Sequence, residues 1–363
     1  MTLRNKLKGD WPEKAALLGA ALPLARLHPA VRAWTERRRK TDVWCVAFSG
    51  GADSLALLLL LWALWTERRA RLVALHFNHR LRGRESNVDE KFCRRVGAAL
   101  GIRLRVGRWP GMHLDASEAE ARTARHAFFR REMNKLGGRV LWLAHQQDDI
   151  AESMLMRLTR GSGAGGLAAP RPVQPAGDGR THLRPLLTLK KAELVAGLRR
   201  AGAKWCEDSS NARGDFFRNR VRRSVMPAWV KSAGRDALAG AALSRELLEE
   251  DDQALEAWAE AMVPAGRDRR LNVQALAGMP RAVVRRVLHR WLLKVRPATD
   301  LSRQGFEMLL AAIGRCKPTR FSLGRKGFAV IAQGKLTFKK GSDCSDIGTI
   351  LNTIRVRPTP RHH

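Results

Sequence analysis

The string Ser49-Gly50-Gly51-Ala52-Asp53-Ser54 sets two hydroxyls, two adjacent glycines and a carboxylate between an apolar run, Val43–Phe48, and a long apolar stretch from Leu55. Strand, tight loop and helix N-terminus in that order make an anion site. Glycine lets the backbone approach closely, and the first helical N–H groups point at the ligand. Asp53 is the exception. A carboxylate beside a phosphate is repulsive unless a cation lies between them, so the loop suits a magnesium nucleotide held by Ser49, Gly50, Gly51, Ala52, Asp53 and Ser54. The Lys and the spacing of a Walker G-x-x-x-x-G-K-S/T loop are absent. Two glycines alone would signal no more than an ordinary strand-to-helix turn; the full string favours a nucleotide.

A second group, His145-Gln146-Gln147-Asp148-Asp149-Ile150-Ala151-Glu152, follows the apolar run Arg139–Ala144. Asp149 and Glu152, three apart on a helix, project to one side. Early acids also suit a helix dipole, so a capped acidic first turn explains them as well as a metal-binding or proton-handling role does. Arg122 and Arg125 share a face of the Ala-rich pattern Ser117–Leu136, where the plain alternative is a pair of surface arginines. The segment Lys204–Arg223 mixes acids, amides and five arginines. It reads either as a polar loop before a helix or as arginines for phosphates, with Glu207, Asp208 and Asn211 holding them or a polar substrate.

Bringing these groups together takes a parallel sheet. Val43–Phe48, Arg71–Phe77, Ile102–Val106 and Arg139–Ala144 read as strands, and helical stripes at Leu55–Trp65, Ser86–Leu100 and Ser117–Leu136 alternate with them. Such βαβ units cross over right-handedly, and the carboxyl ends of their strands face one crevice. His76, Asn78 and His79 then lie beside the 49–54 loop, and residues 145–152 form its second wall. Arg160–Leu167 is expected to be a glycine-rich basic loop, Pro170–Gly179 an exposed connection and Leu189–Ala201 a helix. From Pro227 the pattern turns helical, with a run over Asp236–Met262 and further helices at Val273–Leu276 and Arg281–Lys294. The last carries a basic face of Arg285, Arg286, His289 and Arg290. Thr319–Leu323, Phe328–Ala332 and Lys335–Lys339 read as short strands. The expected organisation is a basic N-terminal extension (1–40), an α/β domain with a doubly wound parallel sheet (41–230), a mainly helical domain with a small β element (231–340) and a flexible tail (341–363). The boundary is placed near Pro227–Gly234.

Composition narrows the partners. In 363 residues, 67 Lys and Arg oppose 34 acids, a formal charge of +33 that draws polyanions, nucleic acid foremost. Five cysteines, none in a C-x-x-C pair, argue against a disulfide framework or a zinc site and fit a reducing cytoplasm. Leu55–Trp65 is very apolar but well short of the roughly 20 residues that cross a bilayer, so a buried helix is expected and no membrane partner. Tryptophan numbers 11 while tyrosine is absent, which leaves aromatic stacking to Trp, Phe and His.

The first loop resembles the S-G-G-x-D-S loop of the N-type ATP pyrophosphatases, a Rossmann-like superfamily that splits ATP between its α- and β-phosphates. An ordered series resembles one family within it, the tRNA(Ile)-lysidine synthetases. The series is Phe48–Ser54, His76–Arg82 with Ser86, Asp89 and Phe92, Glu118–Phe129, Ala144–Glu152, Arg160–Gly163, Arg184–Leu187, Trp205–Asn211 and Arg218–Arg220. The resemblance implies a ligase that uses ATP and Mg²⁺ to join free L-lysine to the wobble cytidine of an isoleucine tRNA, releasing pyrophosphate and AMP. It implies magnesium on Asp53 and Asp149, Arg125 near the α-phosphate, Glu152 at the lysine ammonium, and His76 and Asn78 beside the nucleotide. Asp53, Arg125, Asp149 and Glu152 are the expected catalytic residues. His79, Arg82, Arg122, His145, Arg160, Glu207, Asp208, Asn211, Arg218 and Arg220 are expected to bind substrate or tRNA. Two positions depart from the family: Gln146 stands where a second His is common, and His126 where a Tyr is. A further C-terminal domain of longer members looks missing or reduced. A homodimer is an open alternative. The rival readings are a tRNA thiolase of the same superfamily, which would need a cysteine pair or a metal cluster, and a basic RNA-binding protein without catalysis.

Overall fold

The computed structural model describes residues 11–39, 41–80, 84–110, 117–207, 217–262, 270–295, 301–323 and 327–340. The chain divides into two compact units, Met1–Glu249 and Glu250–His363. The expected boundary near Pro227–Gly234 lies upstream of that division.

In the first unit, α1 (Trp11–Ala21) and α2 (Pro29–Glu36) precede the alternation β1 (Trp44–Ala47), α3 (Ala52–Leu64), β2 (Leu72–Asn78), α4 (Arg84–Ala99), β3 (Arg103–Arg108), α5 (Glu118–Leu136), β4 (Val140–Trp142) and α6 (Gln147–Leu158). A short α7 (Ala164–Leu167), β5 (Val173–Pro175), β6 (Thr181–Leu183) and α8 (Lys191–Arg200) follow. Then come α9 (Phe217–Arg220), one π turn (Val221–Val225), α10 (Met226–Ser232) and α11 (Ala237–Met262), within which the division at Glu249 falls. The strand order is β3-β2-β1-β4-β6-β5, parallel except for β5, which pairs antiparallel with β6 at the edge.

Two expectations need correction here. Residues 164–167 of the supposed loop form a helical turn, and the supposed connection 170–179 contains the edge strand β5. An edge strand tolerates Pro175 because one side of it needs no ladder donor, which is why the Pro/Gly signal concealed it. The 1–40 stretch also contributes to the interior: Ala15, Leu18, Leu22, Leu27 and Val31 join the main core.

That core explains α3. Every side chain from Ser54 to Leu61 is buried, because the sheet covers one side of the helix while α1 and α8 pack on it from elsewhere. An all-apolar helix is what complete enclosure requires. Trp44, Trp65 and Trp142 meet at one end with ring centroids 4.6–5.7 Å apart, a large apolar anchor under the first strands. No helix among the described residues is long and apolar enough to cross a membrane.

In the second unit, α12 (Arg281–Val295) and α13 (Arg303–Gly314) pack with a four-stranded antiparallel sheet of order β7-β10-β9-β8, formed by Leu271–Asn272, Lys335–Lys340, Gly327–Ala332 and Thr319–Ser322. The basic face expected on α12 is largely paired. Arg286 meets Asp252 at 2.8 Å and Glu256 at 3.2 Å, Arg290 meets Glu256 at 2.8 Å, and Arg285 meets Glu307 at 3.3 Å. The helix 303–314 had no counterpart in the sequence reading. Residues 341–363 lie outside the described residues.

Candidate active site

Because β1, β2 and β4 run parallel, the segments after them share one edge of the sheet. The 49–54 loop is shaped by its own hydroxyls. Ser54 Oγ accepts from the Ser49 N–H at 3.2 Å, lies 3.0 Å from Ser49 Oγ and donates to the Gly51 carbonyl at 3.0 Å. Gly50 has φ +93°, and a Cβ there would meet Cys93 Sγ at 3.1 Å and Cys206 Sγ at 3.2 Å. Conformation and space both demand glycine. The Cys206 N–H donates to the Gly50 carbonyl at 2.9 Å, which fastens the 205–207 segment to the loop. The fold thus gathers two cysteines that are far apart in sequence. Cys206 is half-buried and lines the cavity described below, whereas burial pushes the Cys93 thiol well above its usual range, the opposite of what a nucleophile needs.

A cavity of about 680 Å³ opens at these strand ends. Of the residues expected in the site, Ser49, Gly51, Ala52, Asp53, Ser54, His76, Asn78, His79, Arg122, Arg125, His145 and Glu207 line it. Lys191 and Arg222 do too, and sequence reasoning singled out neither. Lys191 opens α8, whose backbone N–H holds the Asp148 carboxylate at 3.0 Å, a long-range link with no local sequence signal. Arg222 belonged to a segment noted only for its arginines.

Asp53 Oδ1 is buried and accepts no hydrogen bond. Burial, reinforced by the nearby Asp149 and Asp148 carboxylates and opposed by Lys191 and Arg222, pushes the Asp53 carboxyl up to about 6. An orphaned carboxylate oxygen on a residue that lines a phosphate-sized cavity suits a hard cation. Among the described residues no group of three or more His, Cys, Asp or Glu side chains is assembled as a metal site.

Asp149 and Glu152 do project to one side, and arginines cover them. Arg218 donates to Asp149 Oδ1 at 2.7 Å and Glu152 Oε2 at 3.1 Å. Arg222 donates to Glu152 Oε1 at 2.5 Å and Oε2 at 3.0 Å, and stands 3.5 Å from Asp149 Oδ1. Asp149 Oδ2 accepts from the Gln146 N–H at 3.0 Å, while Gln146 Oε1 accepts from the Asp148 N–H at 2.6 Å. Gln146, the departure from the family's usual residue, therefore caps α6. Of the two carboxylates expected to hold a cation, only Asp53 has an unpartnered oxygen.

The histidines are held neutral. Arg184 Nε donates to His145 Nδ1 at 3.0 Å, which places the ring proton of His145 on Nε2. Burial, then the Arg184, Arg218, Arg122 and Arg125 cations, keep His145 well below its ordinary range. His126, the second departure, is drawn down to about 4 by burial and by Arg122 and Arg125, and its ring lies 6.3 Å from that of His182. Burial also lowers His76, whose Nδ1–H faces the Phe48 carbonyl at 3.0 Å and whose Nε2 is buried without a partner.

Asn78 lines the cavity while its side chain joins β2 to α4. Its amide nitrogen lies 3.2 Å from the Ser86 carbonyl, Asn87 Oδ1 and Glu90 Oε2, and its Oδ1 accepts from the Arg80 N–H at 2.9 Å. Arg160 and Arg220 are exposed and do not line the cavity; Arg220 stands over Phe217. Arg82, Asp208 and Asn211 lie outside the described residues.

The PP-loop domain family matches residues 26–229, and the TilS substrate binding domain matches residues 271–337. A tRNA(Ile)-lysidine synthase of Rhodopirellula baltica is 35% identical over 271 residues, 67% of this chain and 68% of that relative. The chain belongs to the tRNA(Ile)-lysidine synthase family. Another relative of that name, from Geobacter sulfurreducens, is 35% identical over 283 residues, 74% of this chain, and the match spans 58% of the relative's length. Among solved structures, a U34-tRNA thiolase of Methanococcus maripaludis, solved with its 4Fe-4S cluster, aligns with TM-score 0.50 at 17% identity, over 65% of this chain and 79% of that one. That likeness speaks to the PP-loop fold alone.

Proposed function

We propose that the protein joins free L-lysine to the wobble cytidine of an isoleucine tRNA at the expense of ATP. The observation that carries the reading is one cavity bordered by the 49–54 loop with Asp53, by Arg122, Arg125 and the neutral His145, and by Arg222, which pairs with the Asp149 and Glu152 carboxylates. Adenylation of the cytosine 2-carbonyl oxygen forms a C–O–P link and releases pyrophosphate. Attack of the lysine ε-amine at C2 then forms a C–N bond and expels AMP.

Each group has work to do in that sequence. The loop N–H groups at the start of α3 cradle the departing phosphates. Asp53, with Asp149, would hold a magnesium ion, which when bound would neutralise charge on the phosphate chain. Arg125 and Arg122 face the charge that develops near the α-phosphate. The Nε2–H of His145 donates a hydrogen bond without adding charge. Glu152 receives the lysine ammonium and takes its proton, since only the free amine attacks. The excess of 67 basic over 34 acidic residues attracts the tRNA backbone, and the unpaired cytosine enters the cavity splayed from the anticodon. The cytoplasm is the compartment this reading entails.

The test is transfer of radiolabelled lysine to isoleucine tRNA transcripts. Wild type is expected to incorporate label only with ATP present, and Asp53→Ala to incorporate none. Folded wild-type protein that binds the transcript yet transfers no lysine overturns the reading.

A further inference from the structure

The two carboxylates assigned to lysine and to a cation are already neutralised, and by the same pair of side chains. Arg218 bridges Asp149 and Glu152, and Arg222 grips both Glu152 oxygens. Glu152 is 2% exposed and Asp149 6%, so these are desolvated pairs. Desolvated carboxylates are costly to leave without a cation. An incoming ammonium has no vacant oxygen to meet until a guanidinium group leaves.

A second destination lies within reach of Arg222. Arg222 also lines the cavity beside the 49–54 loop and is close enough to Asp53 to lower its affinity for a proton. Arg222 sits in a π turn at Val221–Val225, an irregularity that is rare in helices and frequent at functional sites. Guanidinium recognises phosphate as readily as carboxylate, with the same bidentate fork.

We infer that Arg222 is an exchangeable cation. It holds Glu152 until a phosphate chain enters the loop, then turns to the phosphates and releases Glu152 Oε1 to the primary ammonium, while Arg218 stays on Asp149. The proposal rests on the lysine-ligase reading above and adds an order to it: the anion prepares the site for the amine. It makes the two binding events thermodynamically coupled and therefore reciprocal.

The experiment is equilibrium dialysis of radiolabelled L-lysine against the full chain without tRNA, with and without inorganic pyrophosphate. Wild type is expected to bind lysine about 5-fold or more tighter when pyrophosphate is present, the lower end of typical coupling. In Arg222→Gln, lysine affinity without pyrophosphate should rise towards the coupled wild-type value, and pyrophosphate should add little. Arg222→Lys, which keeps the charge with a single donor head, should fall between them. Absence of coupling in wild type overturns the exchange without any variant. So does coupling that persists in Arg222→Gln, since it would come from direct attraction between the two ligands, and so does loss of lysine binding in a folded Arg222→Gln. Lysine transfer to tRNA run on the same wild-type sample separates the cases. Transfer without coupling overturns the exchange alone. Absence of lysine binding and transfer in every arm overturns the ligase reading, and the exchange with it.

Discussion

Replacing Asp53 by Asn should stabilise the cation-free protein while abolishing its activity, and the size of the gain should depend on pH. The Asp53 carboxyl titrates near 3.8 in an unfolded chain and near 6 in the folded one, chiefly because burial penalises its charge. Below pH 3.8 it is protonated in both states and has no effect. Between the two values the unfolded chain ionises first, so stability falls as pH rises, and above about 6 the whole difference has been lost. At about 1.36 kcal/mol per pH unit, the gap between 3.8 and about 6 corresponds to about 3 kcal/mol. Asn has the same shape and no charge to bury. Urea unfolding in the presence of a chelator at several pH values from 5 to 8 is the assay. With a slope of about 1–3 kcal/mol per molar urea, the Asp53→Asn midpoint should exceed wild type by about 1 M or more at pH 8, and the difference should shrink towards pH 5. Added magnesium should raise the wild-type midpoint and leave the variant unchanged. A variant less stable than wild type at pH 8, or a difference independent of pH, would refute the assignment of Asp53 as a buried, uncompensated carboxylate.

Other outcomes follow from the same geometry. Gly50→Ala must adopt φ +93° with its Cβ 3.1–3.2 Å from two sulfurs, and should lose about 1–3 kcal/mol of stability by denaturant titration. Gly51→Ala has no close contact under 3.6 Å and should unfold within about 0.5 kcal/mol of wild type; equal losses at the two positions would contradict the loop geometry. Asn78→Ala should destabilise by about 1–3 kcal/mol, because Glu90 and the Arg80 N–H lose their partner. The KM for ATP in that variant should stay close to wild type, and a selective rise in it would identify the Asn78 side chain as a nucleotide ligand. Affinity for tRNA should fall linearly with salt on logarithmic axes, as expected when basic side chains displace counterions; a flat dependence would leave the +33 charge without a role in binding.

Several features were legible in the chain because their causes are local. Two glycines, two serines and an aspartate between a buried strand and an apolar helix read as an anion loop, and apolar runs and period-3.6 patterning placed β1 to β4 and the helices between them within a few residues. The apolar run after Asp53 needed no partner to be read as an enclosed helix. Parallel order followed from strand-helix alternation, and with it the gathering of His76, His79 and His145 at one edge of the sheet.

Only the tertiary structure decided which polar groups are spoken for. Asn78 lines the cavity, yet α4 supplies Ser86, Asn87 and Glu90 as partners of its side chain. Gln146 looked like a lost histidine until its amide closed the cap of α6. Asp149 and Glu152 looked open, whereas Arg218 and Arg222, some 70 positions away, hold them. Cys93 and Cys206 meet only because both back onto Gly50. Spacing along a chain reports the faces of one helix or strand. Hydrogen bonds and ion pairs between distant segments are set by how the elements pack, and those pairings determine whether a carboxylate in this cavity waits for a metal, an amine or an arginine.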